Sequence, residues 1–167
     1  MNSKDEYYLK ITLAVGEKST CKRRKMGAII VVNDAIVSTG YNGPARGSIN
    51  CDEVECLKNL KNAPQYSAYD LCPAVHAEEN AVVNAARNGT KVFGGTLYVV
   101  GRRPSGEIAP SHPCERCARI IINAGIKRVV TMDEEGKVLE IPVEELVRKD
   151  KEKYLEKLKA ENGRKTD

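Results

Sequence analysis

The sequence is poor in the residues that usually announce a nucleic-acid surface. It has no tryptophan and a single phenylalanine in 167 residues. Single-stranded nucleic acid is typically gripped by a dense basic stripe interleaved with stacking aromatics. The net charge of +4 is modest, and much of the basic excess falls in RKDKEKYLEKLKAENGRK near the C-terminus, which reads as a solvated helix face. Long apolar runs are missing too. None approaches the roughly 20 residues of a membrane span, and MNSKDEYYLKITLAV lacks the layout of a signal peptide. A cytoplasmic protein with no membrane partner is expected, and nucleic acid is not expected as a partner. Histidine is also scarce: the chain has only two, His76 and His112.

Cysteine is well represented, at positions 21, 51, 56, 72, 114 and 117. In a reducing compartment thiols persist, and metal ligation is a better default than disulfides. At 41% apolar and 30% charged residues, the composition is that of an ordinary globular domain.

The chain alternates helical and strand patterns. KDEYYLKITLAVGEKS reads as a helix with Tyr8, Ile11, Leu13 and Val15 on its apolar face. GAIIVVNDAIVSTGYN reads as a hairpin turning at Asn33-Asp34. GPARGSINCDEVECLKNLKNAPQYSAYDLC has weak periodicity and reads as an irregular insertion, residues 43–74. HAEENAVVNAARNG is a helix with Ala81, Val82, Ala85 and Ala86 on one small-residue face, stopped by Gly89. GGTLYVVG is a strand and RRPSGEIAPSH a loop. PCERCARIIINAG is a helix opened by Pro113 and closed by Gly125. IKRVVTM is a strand, DEEGKVLEI a turn and short strand, and PVEELVRKDKEKYLEKLKAE a last helix. Its Val143, Leu146, Val147, Tyr154, Leu155 and Leu158 form one stripe, for packing on its own domain or for an oligomer contact. The final NGRKTD is expected to be disordered. The alternation predicts a three-layer α/β arrangement with helices on both sheet faces. It forms one domain: residues 1–142, with 143–167 as C-terminal helix and tail.

His76 and Glu78 open one predicted helix, and Cys114 and Cys117 open another. A lone histidine at a helix start is mostly a cap, and a lone C-x-x-C is often a structural zinc knuckle or a redox pair. Together they make one imidazole and two thiolates, a zinc site with a fourth position open for water. Helix N-termini favour the thiolate form. Glu78, beside zinc-bound water, is placed to act as general base and then general acid. The H-x-E…P-C-x-x-C pattern is that of zinc-dependent nucleobase deaminases.

Through STCKRRKMGAIIV, VSTGYNGPARG, HAEENAVVNAARNG, GGTLYVV and PCERCARIIINAGI, from about Ser19 to Val130, the sequence resembles the deoxycytidylate (dCMP) deaminase family of the cytidine deaminase superfamily. The STGYNG segment is the specific part. The resemblance implies a mixed five-stranded central sheet flanked by helices and a homo-oligomer, a hexamer or dimer. It implies hydrolysis of a cyclic-amidine C–N bond: a zinc-bound hydroxide attacks dCMP, Glu78 shuttles the proton, and dUMP and ammonia form. His76, Cys114 and Cys117 would hold the zinc. The Ala77 backbone would bind the base, Asn42 the sugar, and Arg24 or Arg23 the phosphate. The loop from Gly43 to Gly47 is a candidate site for regulatory dCTP or dTTP, with Mg2+ only if such a triphosphate binds. Relatives often carry a second, structural zinc. Cys21 and Cys51 lie at the matching places, with Cys56 and Cys72 as the remaining candidates.

Two features depart from the family pattern. GRRPSGEIAPSH separates the strand from PCERC and brings Arg102, Arg103, Glu107 and His112 near the site, as a lid, a specificity loop or an oligomer contact. Thr131 stands where relatives often have an aromatic, close to the base pocket. Both leave room for another nucleoside, nucleotide or base as substrate, or for tRNA editing.

Overall fold

In the computed structural model, which describes residues 3–109 and 111–164, one mixed sheet runs through the molecule. Its strands are β1 (Lys25–Val32), β2 (Ala35–Tyr41), β5 (Thr96–Arg102), β7 (Arg128–Met132) and β8 (Val138–Pro142), in the order β2-β1-β5-β7-β8. All neighbours are antiparallel except β5 and β7, which are parallel and joined through a helix. These are the five strands expected. A sixth, β6 (Ile108–Ala109), folds back on β5 and makes a hairpin out of the segment read as a loop. The β1–β2 turn uses Asn33 and Asp34, both at positive φ (49° and 63°), the signature of a type I′ hairpin.

Helices cover both faces. On one lies α1 (Lys4–Gly16), over Ile29, Val31, Tyr98, Val100, Val130 and Met132. On the other lie α3 (Ala77–Arg87) and α4 (Glu115–Asn123), with the start of α5 (Val143–Arg164). Their Ala81, Ala118, Ile121 and Leu146 close over Ala28, Ile30, Leu97, Val99 and Val129. Strands buried on both faces read as continuous apolar runs, as AIIVV and LYVV do.

The inner face of α1 is not the one expected. Tyr8, Leu9, Thr12 and Gly16 are buried, while Ile11, Leu13 and Val15 pack only at the margin. The reason is close approach. A Cβ at Gly27 of β1 would stand 2.1 Å from the Thr12 carbonyl oxygen and 2.7 Å from the Gly16 nitrogen. Small and polar residues therefore occupy the seam. In α3, Ala81 and Ala85 face the sheet as expected, but Ala86 is exposed. That helix rests on Gly40 of β2, where a Cβ would lie 2.3 Å from the Ala81 nitrogen.

The insertion holds little regular structure: β3 (Gly43–Pro44) paired with β4 (Ala74–Val75), a one-turn α2 (Leu57–Leu60) and a 3-10 turn at Tyr69–Leu71. On α5 the expected stripe is engaged only at its start. Leu146 is buried, whereas Val147, Tyr154, Leu155 and Leu158 are exposed. Of the tail expected to be disordered, 162–164 continue α5 and 165–167 lie outside the described residues. No described helix is long and apolar enough to cross a membrane.

Candidate metal centre and cavity

Two helix starts build the centre. His76 is the N-cap of α3 and Cys114 the N-cap of α4, and the two helices lie side by side on one sheet face. The His76 Nδ1 atom stands 3.5 Å from Cys114 Sγ and 3.3 Å from Cys117 Sγ. A zinc ion with ordinary bond lengths separates N and S ligands by about 3.5 Å across a tetrahedral angle. The trio fits that ion, and it is the only such group among the described residues.

The electrostatics agree. Hydrogen bonding from Cys117, helped by His76, holds the Cys114 thiol down to about 3 against the effect of burial. The Cys117 thiol is pushed up by that same hydrogen bond and by burial. A bound metal ion would take both as thiolates. Glu78 is only 5% exposed, and burial raises its pKa, with the His76 charge opposing. A carboxyl whose protonated form is made easier to reach suits a group that must both take and give a proton.

Above the trio opens a cavity of about 500 Å³. Of the residues singled out from sequence, Arg23, Arg24, Asn42, His76, Ala77, Glu78 and Cys114 line it. Asn42 is braced by β1: its Oδ1 accepts from Met26 N at 2.8 Å and its Nδ2 donates to the Arg24 carbonyl at 3.0 Å. The β5–β6 hairpin reaches the same cavity through Arg103, Pro104 and Ser105, and the following Ser111 and His112 line it as well. Arg103 is tied back to Glu134 and Glu107.

Thr131 does not line the cavity. It is fully buried, and its Oγ1 accepts from Ser111 N at 3.4 Å. It shares the face of β7 that Val129 turns toward α3 and α4, and it stands behind Ser111, which does line the cavity. Gly43 and Gly47 lie outside the cavity, although β3 pairs with the strand that leads into His76. Among the other thiols, Cys21 and Cys72 line the cavity. The Cys51 thiol is pushed up by burial and then by neighbouring Cys21, Cys72 and Cys56.

Three residues near the centre escaped the sequence reading. Glu79 was legible in principle, since an acid three residues after an N-cap is a capping-box signal. Its Oε2 accepts from His76 N at 3.0 Å and from Arg116 Nη2 at 2.8 Å. Lys58 and Tyr69 come from the insertion, where no periodicity marks them. Tyr69 packs edge-on against the His76 ring with centroids 5.2 Å apart.

Comparison with known proteins agrees with this geometry. The family described as the cytidine and deoxycytidylate deaminase zinc-binding region matches residues 2–133. The deoxycytidylate deaminase of Mycobacterium phage D29 is 37% identical over 131 residues, covering 75% of this chain and 91% of the phage protein. That of Enterobacteria phage T2 is 32% identical over 152 residues, covering 73% and 76%. Among solved structures, the dCMP deaminase of cyanophage S-TIM5 in complex with dCMP and dUMP aligns with a TM-score of 0.59 at 30% identity. It covers 77% of this chain and 81% of its own.

Proposed function

The chain belongs to the cytidine and deoxycytidylate deaminase family, and we propose that it catalyses the zinc-dependent hydrolytic deamination of dCMP to dUMP and ammonia. One observation carries this reading: His76, Cys114 and Cys117 converge at the floor of an open cavity with Glu78 buried beside them. The phage and cyanophage relatives named for dCMP supply the substrate.

His76, Cys114 and Cys117 would hold the zinc. Bound there, zinc supplies the Lewis acidity that makes water a nucleophile at neutral pH. Glu78 takes a proton from the attacking water and passes it to the ring nitrogen beside the amine-bearing carbon. Its burial keeps the protonated form accessible, so the same carboxyl serves in both directions. Glu78 then moves the second proton, from the hydroxyl on the attacked carbon to the amino group, which leaves as ammonia. Ala77 offers backbone to the base. Asn42 has one amide hydrogen and one lone pair left for a sugar hydroxyl after its two bonds to β1. Arg23 and Arg24 carry no carboxylate partner among the described residues and face the cavity, suited to the phosphate.

Cys21, Cys51, Cys56 and Cys72 form a second donor set, for a structural zinc that would pin the insertion. Their sulfurs must draw together to close it, since no second trio of ligand atoms lies within 4.8 Å among the described residues. The proposal extends to a homo-oligomer working in the reducing cytoplasm, with the Gly43–Gly47 segment coupled through β3 and β4 to His76 as a seat for a triphosphate effector.

Ammonia release from dCMP by the zinc-loaded protein, without and then with dCTP, tests the reading. Turnover is expected. Failure with zinc bound, but turnover of another amine in a substrate panel, would replace dCMP and point to the β5–β6 hairpin at the mouth as the cause.

A further inference from the structure

The cavity lining is cationic, and one of its cations comes from the insertion. Among the described residues its lining has Glu78 as the only carboxylate, set against Arg23, Arg24, Lys58 and Arg103. Arg103 is already paired with Glu107 and Glu134. Lys58 is different. Only 9% of it is exposed, yet among the described residues its ammonium has neither carboxylate nor hydrogen-bond acceptor. Its one neighbour of note is the face of Tyr69, 5.1 Å from the ring centroid. Lysines are almost never buried unpaired, and among the described residues no buried side-chain nitrogen or oxygen lacks a partner. The ammonium therefore opens on the cavity that Lys58 and Tyr69 both line.

A second cation is tied to the same turn. Arg23 Nη2 donates to the Ala63 carbonyl at 3.0 Å, and Ala63 N donates to the Lys58 carbonyl at 2.8 Å. Ala63 thus ties the Arg23 side chain to the backbone turn that carries Lys58. Tyr69 stands between the Lys58 ammonium and the metal centre, with the ammonium on its face and His76 against its ring. Two ring contacts, of 5.1 and 5.2 Å, separate the cation from the imidazole, and all three side chains line one cavity.

We propose that Lys58, with Arg23 beside it, is the residue of the insertion that reads the 5′-phosphate of the substrate and so makes the enzyme a nucleotide rather than a nucleoside deaminase. This rests on the dCMP reading above. The ammonium supplies a charge-assisted hydrogen bond. It binds ground and transition states alike, because the phosphate does not react.

The test is Lys58→Met, which keeps the apolar stem and removes the charge. KM for dCMP is expected to rise about tenfold or more with a much smaller change in kcat. The preference for dCMP over deoxycytidine should fall by the same factor, and Lys58→Arg should recover part of it. An unchanged KM, or an equal loss with both substrates, overturns the assignment. Calorimetric titration of the zinc-loaded protein with inorganic phosphate judges it separately. Binding weakened in Lys58→Met supports it, and binding equal to wild type overturns it. If wild type binds phosphate through Lys58 but does not turn over dCMP, the substrate reading fails and the anion site stands.

Discussion

The Glu79 carboxylate of α3 and the Arg116 guanidinium of α4 meet at 2.8 Å, and the same carboxylate oxygen caps His76 N at 3.0 Å. One side chain thereby fixes the helix start that carries His76 against the helix start that carries Cys114 and Cys117. Arg116 is half exposed, so the ion pair by itself is weak; the cap is the stronger part, worth about 1 kcal/mol. Glu79→Ala should lower zinc affinity about 10- to 100-fold, as loss of a partner behind a metal ligand does. Competition against a chromogenic chelator would measure it, and wild-type affinity would refute the linkage.

Glu78 is buried beside the trio but is not part of it. Glu78→Gln keeps size and polarity and removes the proton carrier. Zinc content should stay at the wild-type level while kcat for dCMP falls by about 10²–10⁴-fold. Zinc analysis together with ammonia release would check both halves, and retained turnover would rule out the assigned role.

Gly40 couples the sheet to the catalytic helix. A Cβ there would lie 2.3 Å from Ala81 N and 2.5 Å from the Ala77 carbonyl oxygen. These are backbone atoms, which cannot rotate away. Gly40→Ala should destabilise the protein by about 1–3 kcal/mol, the range for overpacking. It should weaken zinc binding as well, because α3 moves with His76 at its start. Urea denaturation of wild type and variant would show the first effect, and unchanged midpoints would mean that α3 shifts freely.

The centre was legible because its chemistry sits at fixed offsets on helix starts. His76 and Glu78, like Cys114 and Cys117, need only local helix geometry to meet, and the helices between and after them keep a clear period. The Asn33-Asp34 turn was legible for the same local reason. What sequence hid depends on contacts from elsewhere in the chain. Leu9 and Thr12 displace Ile11 and Leu13 from the inner face of α1 because Gly27 draws the helix close. Lys58 and Tyr69 belong to a segment whose path no periodicity defines. Thr131 is covered by Ser111, from the chain that follows the β5–β6 hairpin, and so stands behind the cavity wall rather than in it.

The insertion also carries a count that can be checked. Cys51 lies near enough to Cys21, Cys56 and Cys72 for their charges to raise its pKa, after burial has done so. Wild type should hold two zinc ions per chain, and Cys51→Ser one. Metal analysis of the purified proteins decides it. A single zinc in wild type would leave these thiols as half-buried, metal-free side chains.

Asp5 offers the clearest dependence on pH. It joins α1 to the sheet, accepting from Tyr98 Oη at 2.7 Å and from Arg128 Nη2 and Nη1 at 2.9 and 3.2 Å. Burial alone would raise its pKa, but the hydrogen bonds from Tyr98 and Arg128 and the Arg128 charge outweigh it. The folded value lies below the ordinary 3.8. A carboxyl depressed on folding contributes stability that is present above its unfolded pKa and lost as pH falls through the folded one. The contribution is therefore complete at neutral pH and drains away below about pH 4. Asp5→Asn should cost about 1–2 kcal/mol at pH 7. Its gap from wild type should narrow at pH 3, below the ordinary carboxyl pKa at which the unfolded chain takes up its proton. Denaturation curves at the two pH values test this directly: an equal gap at both would mean that Asp5 acts through packing between α1 and the sheet rather than through its charge.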